Sequence, residues 1–282
     1  MNTLPQDVLD CGAATAIGRH CAGVFHEALA DRLVGAYALG SLAHGGFAPA
    51  VSDIDLALVL TDRRPEDDQT IDRVTRGLHE LGGDHRRLSV FWSSLPALRA
   101  NREDGRFPAV DRLDLKISGL LLLGDDVRPQ VAQPDTAMLS ADSVRFALEV
   151  LASDPVVAEF RNPTHLASDI RRFTKAVLLP LRFLYTAANS VPGSTDDAIR
   201  HHLAQPAPVA AELVRAATRA RHGQPVSAER LTELLHAELI PLYLYYVDCC
   251  LPGLTPADGG LAQGLARWRT RLLGLQETRP SP

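Results

Sequence analysis

Asp53 and Asp55 stand one residue apart in the apolar run SDIDLALVL (52–60). Strand alternation puts both on one face with Ala57 and Val59, opposite Ile54, Leu56, Leu58 and Leu60. Two neighbouring carboxylates repel, and removing them from water adds to the penalty. A divalent cation answers both problems, and Mg²⁺ in particular takes one or two carboxylates together with substrate phosphates. Upstream, Gly40 and Ser41 close the run VGAYALGS. Glycine lets a backbone N–H approach a phosphate unobstructed. Ser41 offers a hydroxyl and the start of a short helix, whose free N–H groups favour anions. The pattern predicts a strand, a phosphate turn and an acidic strand that together hold Mg²⁺ and a triphosphate.

The elements that must position these groups are legible on either side. Residues 6–32 read as an amphipathic helix with Ile17, Cys21, Val24 and Ala28 on one face. Strands are expected at 34–40, 53–60, 87–92 and 119–126, with a helix from about Gln69 to Leu81. The stretch 94–116 is mixed and polar and supports no assignment. Past about residue 140 the periodicity is helical almost throughout, with Ile170, Phe173, Val177, Leu181 and Leu184 marking a long helix bent at Pro180. Further helices are expected at 196–204, 207–222, 227–251 and 256–274. This is an α+β chain: a small mixed sheet flanked by helices in 1–135, then an all-helical unit in 136–282.

Composition sets the wider limits. With 282 residues, 46% apolar and 22% charged, the chain has ample material for a core. A net charge of -5 argues against an extended nucleic-acid partner, which calls for a basic surplus. Cys11, Cys21, Cys249 and Cys250 form no CxxC pattern, so neither a zinc framework nor a disulfide scaffold is implied. No basic start and apolar run of a signal peptide is seen, and no window is read as a membrane span. The expectation is a cytoplasmic monomer with no membrane partner. There is no GxSxG, P-loop or HExxH.

Gly40-Ser41, Gly45-Gly46 and Ser52-Asp53-Ile54-Asp55-Leu56 resemble the signature of the nucleotidyltransferase superfamily, a Gly-Ser followed by a D-x-D strand. Within it, YALGSLAHGGFAPAVSDIDLALV (37–59) is similar to the nucleotide-binding stretch of the bacterial streptomycin and spectinomycin adenylyltransferases. Weaker likeness extends through LLLLGDDVRP (120–129), RRFTKAVLLPLRFLYTAANSVPGSTDDAI (171–199) and PVAAELVRAATRARHG (208–223). The resemblance implies Mg²⁺-dependent transfer of AMP from ATP to a hydroxyl of a small cationic, aminoglycoside-like acceptor. On that reading Asp53 and Asp55 hold metal, while Gly40, Ser41 and Ser52 face the nucleotide. Asp196 would meet the acceptor, as the family's carboxylate does, or serve instead as an N-terminal helix acid.

Two departures from the family pattern stand out. The family's third acid, the general base, falls on Ser89, and a serine does not accept a proton at neutral pH. Asp84, Asp111 and Asp114 lie in neighbouring stretches and read first as ordinary surface aspartates, and second as candidates for that base. The family's ATP-contacting lysine falls near Thr218, with Arg215, Arg219 and Arg221 around it; either a neighbouring arginine, Arg219 foremost, substitutes for it, or VRAATRARHG is simply a solvated helix face. Among the remaining residues, His44 reads either as a phosphate contact or as a solvent-facing loop residue. His201 and His202 read as helix surface, and Trp92, Tyr243 and Tyr246 as packing. The alternatives to an adenylyltransferase are a nucleotide-binding protein without transfer activity and a protein-adenylylating enzyme of toxin–antitoxin type.

Overall fold

The computed structural model describes residues 9–277. The chain divides into two compact units, Met1–Pro134 and Asp135–Pro282.

The first unit begins with helix α1 (Cys11–Leu29), capped by the Asp10 carboxylate, which accepts the Ala13 N–H at 2.7 Å. The expected beginning of this helix at residue 6 lies outside the described residues. The buried face is Ala14, Gly18, Cys21, Ala22, Phe25 and Leu29, so the core stripe is rotated from the expected one and Ala28 is exposed. The larger apolar side chains Phe25 and Leu29 decide which face turns inward.

Strand β1 (Leu33–Ala38) leads into a single helical turn, α2 (Ser41–His44), and then strand β2 (Ile54–Leu60). Helix α3 (Asp67–Glu80) crosses over to strand β3 (Leu88–Ser94). Helices α4 (Leu95–Arg99) and α5 (Ala109–Ser118) precede strand β4 (Leu120–Gly124). The sheet order is β3-β2-β1-β4. β1 runs antiparallel to both neighbours, whereas β2 and β3 are parallel, as a helical crossover permits.

β2 is buried on both faces, which is why it reads as a nearly continuous apolar run. Ile54, Leu56, Leu58 and Leu60 pack with α1 and α3 residues such as Phe25 and Ile71. Ala57 and Val59 pack on the other side with Tyr37, Leu39, Leu98, Phe107 and Leu115. The start of α3 is tied to the sheet by Arg32, whose guanidinium donates to both carboxylate oxygens of fully buried Asp67, at 2.7 and 3.0 Å.

The second unit is all helical. Helix α6 (Thr136–Phe146) runs into a π-turn (Ala147–Leu151), followed by α7 (Asp154–Arg161) and α8 (Thr164–Ser168). Helix α9 (Ile170–Asn189) contains Pro180. Next come α10 (Thr195–Leu203), α11 (Ala211–Arg221), α12 (Ala228–Cys250) and α13 (Gly259–Glu277). One continuous core joins Phe160, Phe173, Val177, Leu213, Leu235, Tyr243, Tyr246 and Trp268. The stretch Ala228–Gly253 is long and apolar enough to cross a membrane by length and composition alone, which corrects the sequence expectation that no such window exists. Many of its apolar residues pack inside this unit: Leu235, Leu239, Ile240, Leu242, Tyr243 and Tyr246 are fully buried, while Leu244, Tyr245 and Leu251 are half-buried. The two tyrosine hydroxyls donate to the Ala176 and Ser143 carbonyls at 2.9 and 3.3 Å.

Candidate functional site

The first unit brings the Gly-Ser turn and the D-x-D strand together. The last residues of β1 pair with the first of β2, Ala38 lying opposite Leu56. The next step of that ladder is the Leu39 N–H donating to the Asp55 carbonyl at 2.9 Å. Gly40 therefore leaves the sheet directly beside Asp55. Its backbone, φ +59 and ψ -139, is a conformation that glycine alone adopts without strain. A Cβ built on Gly40 would stand 2.6 Å from Oδ2 of Asp55. Position 40 is thus glycine for two reasons, and the second one locates the Asp55 carboxylate against the turn. Gly45 and Gly46, with φ +86 and +80, carry the chain away from α2 in conformations that again favour glycine.

The other expected residues fall around this core. Asp53 lies one residue before β2 begins and is half-buried. Ser41 opens α2. Ser52 is buried, and its hydroxyl accepts the Ala48 N–H at 2.9 Å, closing the loop that delivers Asp53. Ser89 of β3 pairs in register with Asp55. The strand that neighbours Asp55 thus presents a hydroxyl at the level where the resemblance calls for a carboxylate.

A carboxylate does arrive, from α5. Asp114, expected at the surface, is only 5% exposed, and its Oδ2 accepts the Gly40 N–H at 2.6 Å. His44 Nε2 lies 4.0 Å from the same oxygen. His44 is neither solvent-facing nor on an open loop; it ends α2 with a side chain 12% exposed. Asp84 instead pairs with Arg87 at 3.1 Å, and Asp111 sits in the first turn of α5. The sequence puts Asp114 at the surface with Asp84 and Asp111 because its partner is 74 positions away and no local pattern sets it apart from them.

Asp53 and Asp55 suit Mg²⁺ by chemistry, being hard oxygen donors, and the Asp55 carboxylate lies directly against the glycine turn. Among the described residues, no group of three or more His, Cys, Asp or Glu is arranged to hold a metal by itself. A cation here would draw the rest of its shell from phosphate oxygens and water, as Mg²⁺ commonly does.

In the second unit, Asp196 sits in the first turn of α10, beyond a capping box in which Ser194 and Asp197 exchange hydrogen bonds. Its Oδ1 lies 3.4 Å from His222 Nε2 and 3.9 Å from Arg221 Nε, both from the end of α11. Arg221 is 7% exposed. Burial lowers its pKa, Asp196 opposes that shift, and the like charge of Arg182 adds to it. Arg219, the expected cation, is exposed, and Arg215 pairs with Glu212 at 2.6 Å. Thr218 turns its hydroxyl onto the Val214 carbonyl at 2.8 Å.

The same unit holds a cavity of about 310 Å³, lined by Ser143, Leu181, Phe183, His202, Tyr245 and Cys249 among others, with no Asp, Glu, Lys or Arg. It has no carboxylate with which to hold a cation. His202, expected on the helix surface, is buried. Its ring meets the Val209 carbonyl at 2.8 Å, and burial pushes its pKa down.

A small mixed sheet with its acidic strand at the centre, followed by a helical unit, makes an α+β architecture compatible with a nucleotidyltransferase-like fold. Among solved structures the chain is similar to spectinomycin adenyltransferase AAD(9) from Enterococcus faecialis, crystallised with ATP and spectinomycin. The TM-score is 0.52 at 13% identity, over 89% of this chain and 96% of that one, so the likeness is one of fold. No protein-family model and no curated protein matches the sequence.

Proposed function

We propose that this chain is a nucleotidyltransferase that moves AMP from ATP to a hydroxyl of a small cationic acceptor of the aminoglycoside kind. The observation that carries the reading is the contact between the Gly40 turn and the Asp55 carboxylate. A carboxylate pressed against a glycine-only turn is a poor structural choice unless a cation and an anion meet there.

Gly40 and Ser41 bind the phosphates through the backbone N–H and the hydroxyl. Asp53 and Asp55 are the residues that would hold Mg²⁺, which when bound neutralises phosphate charge and favours in-line displacement. The acceptor hydroxyl oxygen attacks the α-phosphorus and its proton passes to solvent water, while the bond from the α-phosphorus to the α–β bridging oxygen breaks and pyrophosphate leaves with that electron pair. Within the second unit, Asp196 offers a half-exposed carboxylate to a cationic group, and Arg219 is an exposed cation of α11 of the kind that pairs with phosphate. The neutral cavity lined by Tyr245 is unsuited to such an acceptor.

The test is incubation with labelled ATP, Mg²⁺ and a panel of aminoglycosides, including spectinomycin and streptomycin. A labelled drug is the expected product, absent in Asp55→Asn. Unchanged transfer in that variant, or label on no acceptor, overturns the reading. One observation favours a second reading, a nucleotide-binding protein that does not transfer. Ser89 stands beside Asp55 where a base would serve, and ATP binding without any acceptor product would select it.

A further inference from the structure

The Gly40 N–H is the donor that the proposed function assigns to nucleotide phosphate, yet it is already taken. Asp114 Oδ2 accepts it at 2.6 Å, within a buried environment. Asp55 lies against the same glycine from the sheet, so two carboxylates from different elements converge on one residue. His44 approaches the Asp114 oxygen from α2. An ordinary structural need would be met by a neutral acceptor here. A full negative charge raises the penalty of burial and adds repulsion with Asp55. What a carboxylate supplies that a neutral group does not is the charge of a phosphate oxygen, with the same preference for a backbone N–H.

We infer that Asp114 is a positioning residue of the nucleotide turn: an internal anion that holds Gly40 ready and that an incoming triphosphate must displace. This rests on the reading of the Gly40–Ser41 turn as a nucleotide site. Phosphate and carboxylate compete for one donor, and they also repel. Binding of ATP without metal is therefore opposed by Asp114, and Mg²⁺, by masking phosphate charge, relieves much of that opposition. The helix that carries Asp114 lies outside the Gly-Ser and D-x-D strand signature, so the device is separate from the metal-holding pair.

The experiment measures ATP affinity calorimetrically for the full-length protein, with Mg²⁺ and with EDTA. Asp114→Asn keeps an acceptor oxygen and removes the charge. It is expected to bind ATP roughly 5-fold or more tightly than the parent in EDTA, a coupling of ordinary size, and the gap should narrow in Mg²⁺. Asp114→Glu keeps the charge and should show no gain. A merely structural role would weaken binding or leave it unchanged, and either result in a folded Asp114→Asn overturns the inference. Should that variant not fold, the parent protein labelled with ¹⁵N-glycine decides. The Gly40 amide resonance should move when ATP binds, and an unmoved resonance under saturating ATP overturns the displacement. If the parent binds no ATP under either condition, the nucleotidyltransferase reading falls and this inference with it. If the parent binds and the Asn variant gains nothing, only the inference falls.

Discussion

Gly40 and Asp55 are mutually defined, and substitution at either is informative. Gly40→Ala would force an L side chain into φ +59 and against a carboxylate oxygen. The backbone strain alone costs about 1–3 kcal/mol, and the added methyl would push Asp55 out of place. Expected are a lower melting temperature and lost ATP binding, checked by thermal denaturation and calorimetry. Asp55→Asn should lose transfer while keeping the fold, which circular dichroism would check. The cysteines divide in the same local way. Burial raises Cys21 to about 11 and Cys250 to about 12, whereas Cys11 and Cys249 are exposed. A thiol reagent at neutral pH should label exposed Cys11 and Cys249 first in the native protein, half-buried Cys250 more slowly and buried Cys21 only after denaturation, as mass spectrometry would show. The residues on β2 could be read directly because strand alternation fixes their faces. Asp114 could not, since burial of an aspartate leaves no trace in its neighbours' types.

Among the elements, α3 depends on one ion pair. Asp67 is fully buried; burial raises its pKa, but Arg32, the Arg64 N–H and the charge of Arg63 outweigh that, and the net shift is downward. Removing one partner of such a pair strands the other, so Arg32→Ala should destabilise the first unit by about 3–5 kcal/mol, measurable by urea unfolding. Because the folded pKa of Asp67 lies below its ordinary value, the pair's contribution is complete above the unfolded carboxylate range near pH 4. It fades as pH falls through the lower folded value. Stability of the parent should exceed that of Asp67→Asn at neutral pH, with the gap closing in strong acid. Strands β1 to β4 were legible as short apolar runs ended by glycine or turn residues. Helix α5 was not, because its inward face carries Arg112 and Asp114 beside Leu113 and Leu115, and buried charges imitate a solvated surface. The apolar stretch of α12 escaped notice for the opposite reason: polar residues such as His236 and Glu238 break it into pieces, although its average is high.

At the scale of the whole molecule, each unit has its own core. The sheet of the first is packed on both faces, and the helices of the second share one continuous apolar cluster. A fragment spanning 135–282 should therefore fold by itself into a helical protein with a cooperative thermal transition, which circular dichroism would follow. A broad, non-cooperative melt would show that the cluster is insufficient alone. Tyr243 and Tyr246 of α12 close the interior against Phe160, Phe183 and Trp268, and α12 follows most of its partners in chain order. During synthesis, helices α6 to α11 leave the ribosome before the piece that completes their interior exists. Their apolar sides stay uncovered until α12 and α13, which supplies Trp268, have been made, at roughly 5–20 residues per second. That interval is when this protein has most need of a chaperone.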